Sequence, residues 1–76
     1  MADEIRTQVP GNIWKVLAKP GNEVAAGDTL FIMEVMKSEV PHVAEQAGRV
    51  ISVHIKEGDE SIDADVVAVV IELAAG

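Results

Sequence analysis

The segment around Lys37 combines residue types that suit chemistry at an exposed amine. The chain has 76 residues, and Lys37 lies near its middle, within Glu34-Val35-Met36-Lys37-Ser38. A lysine taken at random is usually an ordinary solvated side chain. Here, however, the apolar residues Val35 and Met36 stand where a turn usually carries Gly, Asn, Asp or Ser. Unexplained apolar residues at an exposed position suggest recognition, so we expect another protein to read this segment.

The remaining residues that could do chemistry do not form a motif. His42 and His54 have no cysteine and no suitably spaced histidine beside them, so a zinc site is not predicted, and both are expected to be core or surface residues. Ser38, Ser52 and Ser61 lack the surroundings of a catalytic nucleophile. The sequence therefore predicts no catalytic residue and no metal ligand.

Three further side chains have more than one interpretation. Glu34 and Glu39 flank Lys37 and could face each other across two strands, where they would tune recognition of the lysine. The alternative is that they are solvated charges at strand ends. Trp14 is expected to pack in the core or against the rim of a sheet, with its indole N–H reaching a partner or water.

The elements that must position Lys37 are predicted to be short strands. Gly and Pro residues divide the chain into brief apolar runs, which leaves little room for a helix. The last run is long enough for a helix, but its β-branched residues favour a strand. The predicted strands span residues 4–9, 12–17, 23–24, 29–34, 39–43, 49–55, 60–61 and 66–73.

An internal repeat organises these strands into two halves. When Gly11 is placed on Gly48 (48 − 11 = 37), several residues coincide without gaps: Val16 with Val53, Lys19 with Lys56, Gly21 with Gly58, Glu23 with Glu60 and Asp28 with Asp65. Apolar residues replace one another at Ile13 and Val50, Leu30 and Val67, and Ile32 and Val69. Chance in a Val-rich chain is the alternative, but the coincidences fall on turn positions that have a backbone reason to recur. We expect two similar halves related by a pseudo-twofold axis.

Lys37 lies in the link between these halves. If residues 29–34 and 39–43 form neighbouring antiparallel strands, residues 35–38 form a tight hairpin connection. Lys37 would then project from the exposed tip, where its amine is fully accessible.

The composition limits what else the protein can do. One domain, residues 1–76, accounts for the whole length. The formal net charge of −7 opposes binding to nucleic acid and to anionic membrane surfaces. The chain has no cysteine, and its acidic start is not followed by a long apolar run, so a cytoplasmic location is expected and membrane insertion is not.

The sequence resembles the biotinyl/lipoyl attachment domains, whose biotinyl branch carries Glu-Ala-Met-Lys-Met on a hairpin between two quasi-symmetric halves. Residues 34–38 stand at that signature, Gly48-Arg49-Val50 matches the family's Gly-Arg-Val, and the similarity extends from about Val9 to Leu73. The resemblance implies an all-β fold, a flattened eight-stranded barrel or sandwich of two halves. It also implies covalent attachment at Lys37 and recognition through Met36, Val35, Ser38 and Glu34.

The resemblance further implies a non-catalytic carrier of a biotin-dependent carboxylase-type system. A biotin protein ligase would attach biotin to Lys37, and the domain would carry carboxybiotin from a biotin carboxylase to a carboxyltransferase. Lipoyl members usually have Asp-Lys-Ala at the tip, so Met36 before Lys37 favours biotin over lipoate. A lipoyl carrier of a multienzyme complex and an unmodified binding module with the same fold are the alternatives.

Overall fold

The computed structural model describes residues 1–73, and all regular structure in that range is β. Within the same range, no helix is long and apolar enough to cross a membrane. The strands are β1 (Ala2–Arg6), β2 (Asn12–Val16), β3 (Glu23–Val24), β4 (Thr29–Val35), β5 (Ser38–Val43), β6 (Gly48–Val53) and β7 (Val67–Leu73).

The strands form two antiparallel sheets that enclose one hydrophobic core. The first sheet has the order β1-β7-β6-β3, and the second has the order β2-β4-β5. Side chains on a strand alternate between the two faces of its sheet, and one set from each sheet points inward. The core comprises Ile5, Ile13, Ala18, Leu30, Phe31, Met33, Ala44, Val50, Ile55, Ala68, Val69 and Ile71. The predicted all-β fold is confirmed.

The strand count differs from the eight expected. Residues 60–61 were predicted as a strand, but in the part of the chain that the structure describes this place is taken by an isolated bridge between Gly11 and Ile62. The bridge lies beside β2, where it corresponds to the pairing of β3 with β6 in the other half. A single bridged residue does not make a strand, and the two sheets remain separate rather than closing into a barrel. The last predicted strand is confirmed at Val67–Leu73.

Hydrogen bonds between the halves follow the pseudo-twofold relation. The Gly21 N–H donates to the Val50 carbonyl at 2.8 Å, and the Gly58 N–H donates to the Ile13 carbonyl at 2.9 Å. The two bonds are related by the offset of the repeat. The residue number of the donor rises by 37 (21 + 37 = 58), and that of the acceptor falls by 37 (50 − 37 = 13). Gly21 and Gly58 both have positive φ, at 93° and 90°, which glycine adopts without steric cost. The predicted repeat is confirmed over these turns.

The offset changes from 37 to 38 before the last strand of each half. β4 and β7 have the same pattern of burial only when Thr29 is placed on Val67 (67 − 29 = 38). The left-handed turn residue is Gly27 in the first half and Asp65 in the second, again 38 apart. The gapless pairings of Asp28 with Asp65, Leu30 with Val67 and Ile32 with Val69 are therefore wrong by one residue. A shift of one residue would turn the inward face of a strand outward, so burial decides the alignment.

His42 on β5 is a buried core histidine. Its ring stacks on Phe31, with centroids 4.3 Å apart and planes 18° apart. Nε2 accepts a hydrogen bond from the Gln8 N–H at 3.1 Å, so Nδ1 carries the proton and donates to the Val40 carbonyl at 3.2 Å. Burial lowers the pKa of His42 from its ordinary 6.5, and the hydrogen bond to Val40 opposes part of that shift. The neutral ring therefore holds the backbone at Gln8 against β5.

We predict that His42 makes folding stability depend on pH below neutrality. The folded pKa lies below 6.5, so the unfolded chain binds more protons as the pH falls through 6.5, and stability is lost until the pH passes the lowered value. Between pH 7.5 and 5, the melting temperature of His42→Gln should change less with pH than that of the native chain. His54→Gln, which removes an exposed imidazole, should retain the native slope. Equal slopes for the native chain and His42→Gln would contradict this role.

Candidate functional site

The tip of the hairpin between β4 and β5 is a loop of two residues. Val35 pairs with Ser38, which leaves Met36 and Lys37 as the connection. Both have positive φ, 49° and 69°, the pattern that a type I′ turn requires. The Met36 side chain is 94% exposed, and Lys37 is also exposed. The structure thus has the tight hairpin and outward lysine that the sequence predicts.

The left-handed turn is unusual because neither residue is glycine or asparagine. A side chain in this conformation places Cβ too close to the following carbonyl oxygen, at a cost of roughly 1–2 kcal/mol per residue. The register of β4 against β5 sets the loop length. Met33 pairs with Val40 and Phe31 with His42, and this pairing leaves two residues to connect the strands. Burial of the strands therefore holds Met36 and Lys37 in a strained conformation.

The base of the tip is anchored by Val35 and Gly11. Val35 is half-buried and packs against the core. A Cβ at Gly11 would lie 2.8 Å from the Glu34 carbonyl oxygen and 2.8 Å from Val35 Cγ2, closer than a real side chain can approach. The start of β2 thus passes directly over the end of β4. Gly48 has the same relation to Glu72 in the other half.

Charges around the tip are not neutralised by neighbours. Glu34 and Glu39 lie directly opposite each other on β4 and β5, and both are exposed, so the two interpretations of these residues hold together. Like charges in such a pair are destabilising. Within residues 1–73, the salt bridges join Arg6 to Glu4, Arg6 to Asp65 and Arg49 to Glu23. Lys37 takes part in none of them, so its amine is not held by a carboxylate.

The structure brings the predicted site residues together on this one hairpin. Glu34 is exposed at the end of β4, Val35 turns inward, and Ser38 is exposed opposite Val35. The arrangement offers a primary amine on a rigid support, and Lys37 is the residue that could hold a cofactor through an amide. In the described part of the chain, no group of three or more His, Asp or Glu residues is placed to bind a metal ion.

Trp14 does not lie in the core, one of the two positions expected for it. It is 44% exposed on β2, which is an edge strand of its sheet, so the core alternative is wrong and the rim alternative stands. Trp14 points outward because it follows the buried Ile13 on the strand. The register of β2 against β4 shifts between Ile13 and Lys15, and after this β-bulge Lys15 is also exposed while Val16 packs against the core. Lys15 Nζ lies 5.3 Å from the centroid of the Trp14 ring. Nothing in the local sequence indicates the bulge.

The two histidines have different environments, as the alternatives of core or surface allowed. His42 is buried, whereas His54 is exposed and lies with Nε2 3.0 Å from Ser52 Oγ. The stack of His42 on Phe31 could have been suspected from the apolar surroundings of β5. The hydrogen bond from the Gln8 N–H to His42 could not, because Gln8 is 34 residues away in sequence.

Comparisons with known proteins agree with this architecture. The sequence profile of the family described as biotin-requiring enzyme matches residues 2–71. The biotin/lipoyl attachment protein of Bacillus subtilis is 42% identical over 62 residues, which cover 82% of this chain and 85% of the relative. The biotinylated protein TB7.3 homolog of Mycobacterium leprae is 33% identical over 70 residues, covering 92% of this chain and 99% of the relative.

A solved structure extends the likeness to three dimensions. The crystal structure of the Kluyveromyces lactis urea carboxylase contains a region that superposes with a TM-score of 0.85 and 33% sequence identity. The match covers 95% of this chain and 6% of that much longer one. With the family profile spanning nearly all of the sequence, the chain belongs to the family of biotin- and lipoyl-attachment domains.

Proposed function

We propose that this protein is a biotin carrier in which the ε-amine of Lys37 forms an amide with the carboxyl group of biotin. The observation that carries the proposal is the exposed Lys37 amine, free of any salt bridge within residues 1–73, at the tip of a two-residue turn. Relatives named as a biotinylated protein and as a urea carboxylase favour biotin over lipoate.

The chain supplies the amine and its support. A biotin protein ligase would present an activated carboxyl group, the neutral Lys37 amine would attack its carbon, and the leaving group would depart as an amine proton is lost. The product is a neutral amide on a flexible arm. The described part of the chain is 39 Å long and 19 Å across, so it acts as a handle much larger than the arm.

The carrier would serve a biotin carboxylase and a carboxyltransferase. When bound, biotin supplies the atom that accepts and releases a carboxylate group. The rigid β-sandwich keeps Lys37 outward, and tethering gives the arm a high effective concentration at each active site. The domain itself contributes no catalytic residue in this proposal.

We predict that the protein gains the mass of one biotinyl group when it is co-expressed with a biotin protein ligase. Lys37→Arg should abolish the gain, because the charge remains but the amine that can be acylated is lost. Lys56→Arg, at another exposed turn lysine, should still be modified. Intact mass spectrometry gives the result. An unchanged native mass would contradict the biotin carrier, and a gain only with a lipoate ligase would assign the lipoyl alternative.

We predict that Glu34 contributes to recognition by the ligase. Glu34→Lys should raise the KM of the ligase for the unmodified chain by roughly tenfold, since charge complementarity governs encounter and specificity. Glu72 occupies the matched place at the end of β7 (72 − 34 = 38), so Glu72→Lys is a control with the same change of net charge. Equal effects of the two variants on KM would show that only overall charge matters.

We predict that the strain at Met36 can be relieved at the expense of recognition. Asparagine tolerates the left-handed conformation, so Met36→Asn should stabilise the fold by about 1 kcal/mol. Removal of the exposed thioether should also slow modification of Lys37. Asp65 has a φ of 65° and contacts Arg6 and Thr7 rather than the hairpin, so Asp65→Asn is a control at another left-handed residue that should not slow modification. A Met36→Asn variant that melts lower than the native chain would contradict the assignment of strain.

A further inference from the structure

One outer surface of the protein is continuous with the lysine tip. We use "tip face" for the outward side chains of β2, β4 and β5 next to the hairpin. The row nearest the tip is formed by the register partners Asn12, Glu34 and Glu39. The next row is formed by Lys15, Ile32 and Pro41, and the bulge adds Trp14 beside it. A row with two glutamates thus separates Lys37 from the apolar residues Ile32, Pro41 and Trp14.

The repeat provides a matched face on the first sheet for comparison. There, Arg49, Glu72 and Ala2 form the first row, Ser52, Val70 and Glu4 form the second, and Ile51 lies in the corresponding bulge. Ile51 is 49% exposed, close to the value for Trp14, so the two bulges expose their residues to a similar degree.

The two faces differ in whether their charged side chains form salt bridges. On the matched face, Arg49 pairs with Glu23 at 3.5 Å, and Glu4 pairs with Arg6 at 2.9 Å. On the tip face, Glu34 and Glu39 face each other, and neither has a salt bridge within residues 1–73. Two unpaired like charges opposite each other destabilise the fold, and basic side chains of a partner would remove this repulsion.

We propose that the tip face is the docking surface for the biotin protein ligase. The complementary ligase surface would have an apolar recess for the Trp14 ring, bordered by basic side chains opposite Glu34 and Glu39. This inference rests on the proposed function, because it names the partner that recognises the same lysine.

The size of an interface explains why docking must extend beyond the turn. The ligase acts on Nζ of Lys37 itself, with no arm to bridge a gap. A specific complex buries about 800 Å² on each partner, more than two turn residues supply. The contact must therefore continue down one side of the hairpin. Trp14 lies beside Met33, three residues before Met36, or roughly 10 Å from the tip at the rise of an extended strand.

Trp14 has the properties of an energetic centre for this contact. Exposed tryptophans that become buried are among the residues with the largest effects on binding. Its place directly after the buried Ile13 fixes its outward direction, and Lys15 Nζ over the ring restricts its motion. Ile32 and Pro41 continue the apolar surface across the next two strands.

The test compares Trp14→Ala with Ile51→Ala as substrates of a purified biotin protein ligase, using the full unmodified chain. Trp14→Ala should raise KM at least tenfold, leave kcat within twofold and retain the native melting behaviour. Ile51→Ala should match the native chain in KM. Equal KM values for Trp14→Ala and the native chain, or equal increases for both variants, would overturn the inference. A native chain that gains no mass would instead contradict the proposed function.

A second measurement reports binding without turnover. Trp14 is the chain's one tryptophan, so 5-fluorotryptophan labelling of a Lys37→Arg chain gives a single ¹⁹F resonance. The H₂O/D₂O isotope shift of this resonance reports contact of the ring with water. Saturating ligase should remove most of that shift if the ring is buried in the complex. A complex that forms, as judged by line broadening, while the isotope shift stays unchanged would overturn the inference.

Discussion

The pairing of β4 with β5 is the constraint on which the site depends. Phe31, Met33 and His42 are buried, and their burial fixes how the two strands lie against each other. A slip of one residue would expose this set, so the register allows a connection of two residues only. Met36 and Lys37 must then adopt a left-handed conformation that neither residue favours. The core thus places the amine and supports the strain of the turn that presents it.

Much of this arrangement can be predicted from the sequence, for physical reasons. The β-branched runs predict strands, the recurring turn glycines predict two halves, and the link between the halves predicts the exposed hairpin. Each of these signals is local or repeats at a fixed interval. The one-residue change of offset before β7 is not local, because it shows only when burial of the paired strands is known.

The features that sequence reasoning missed depend on contacts between distant segments. Trp14 is a typical core residue by type, but it follows the buried Ile13 and so lies on the outer face of β2, where only the bulge against β4 places Lys15 on the same face beside it. The ring of His42 bonds to a backbone group 34 residues away. The predicted strand at residues 60–61 is wrong, because in the described part of the chain the ladder pairing of this segment is a single bridge between Gly11 and Ile62. Turn residues and hydrophobic periodicity carry no information about such long-range contacts.

The crossed hydrogen bonds of the two halves determine how the molecule can come apart. The turn at Gly21 bonds to Val50 in the second half, and the turn at Gly58 bonds to Ile13 in the first. In the described residues, the turns of each half thus depend on hydrogen bonds to the other half, and β1 pairs with β7 of the opposite half. A severed half would be left with open edges, so the halves are not autonomous folding units. Unfolding is therefore a single cooperative event, and a population in which one half has melted beneath an intact other half has no structural basis.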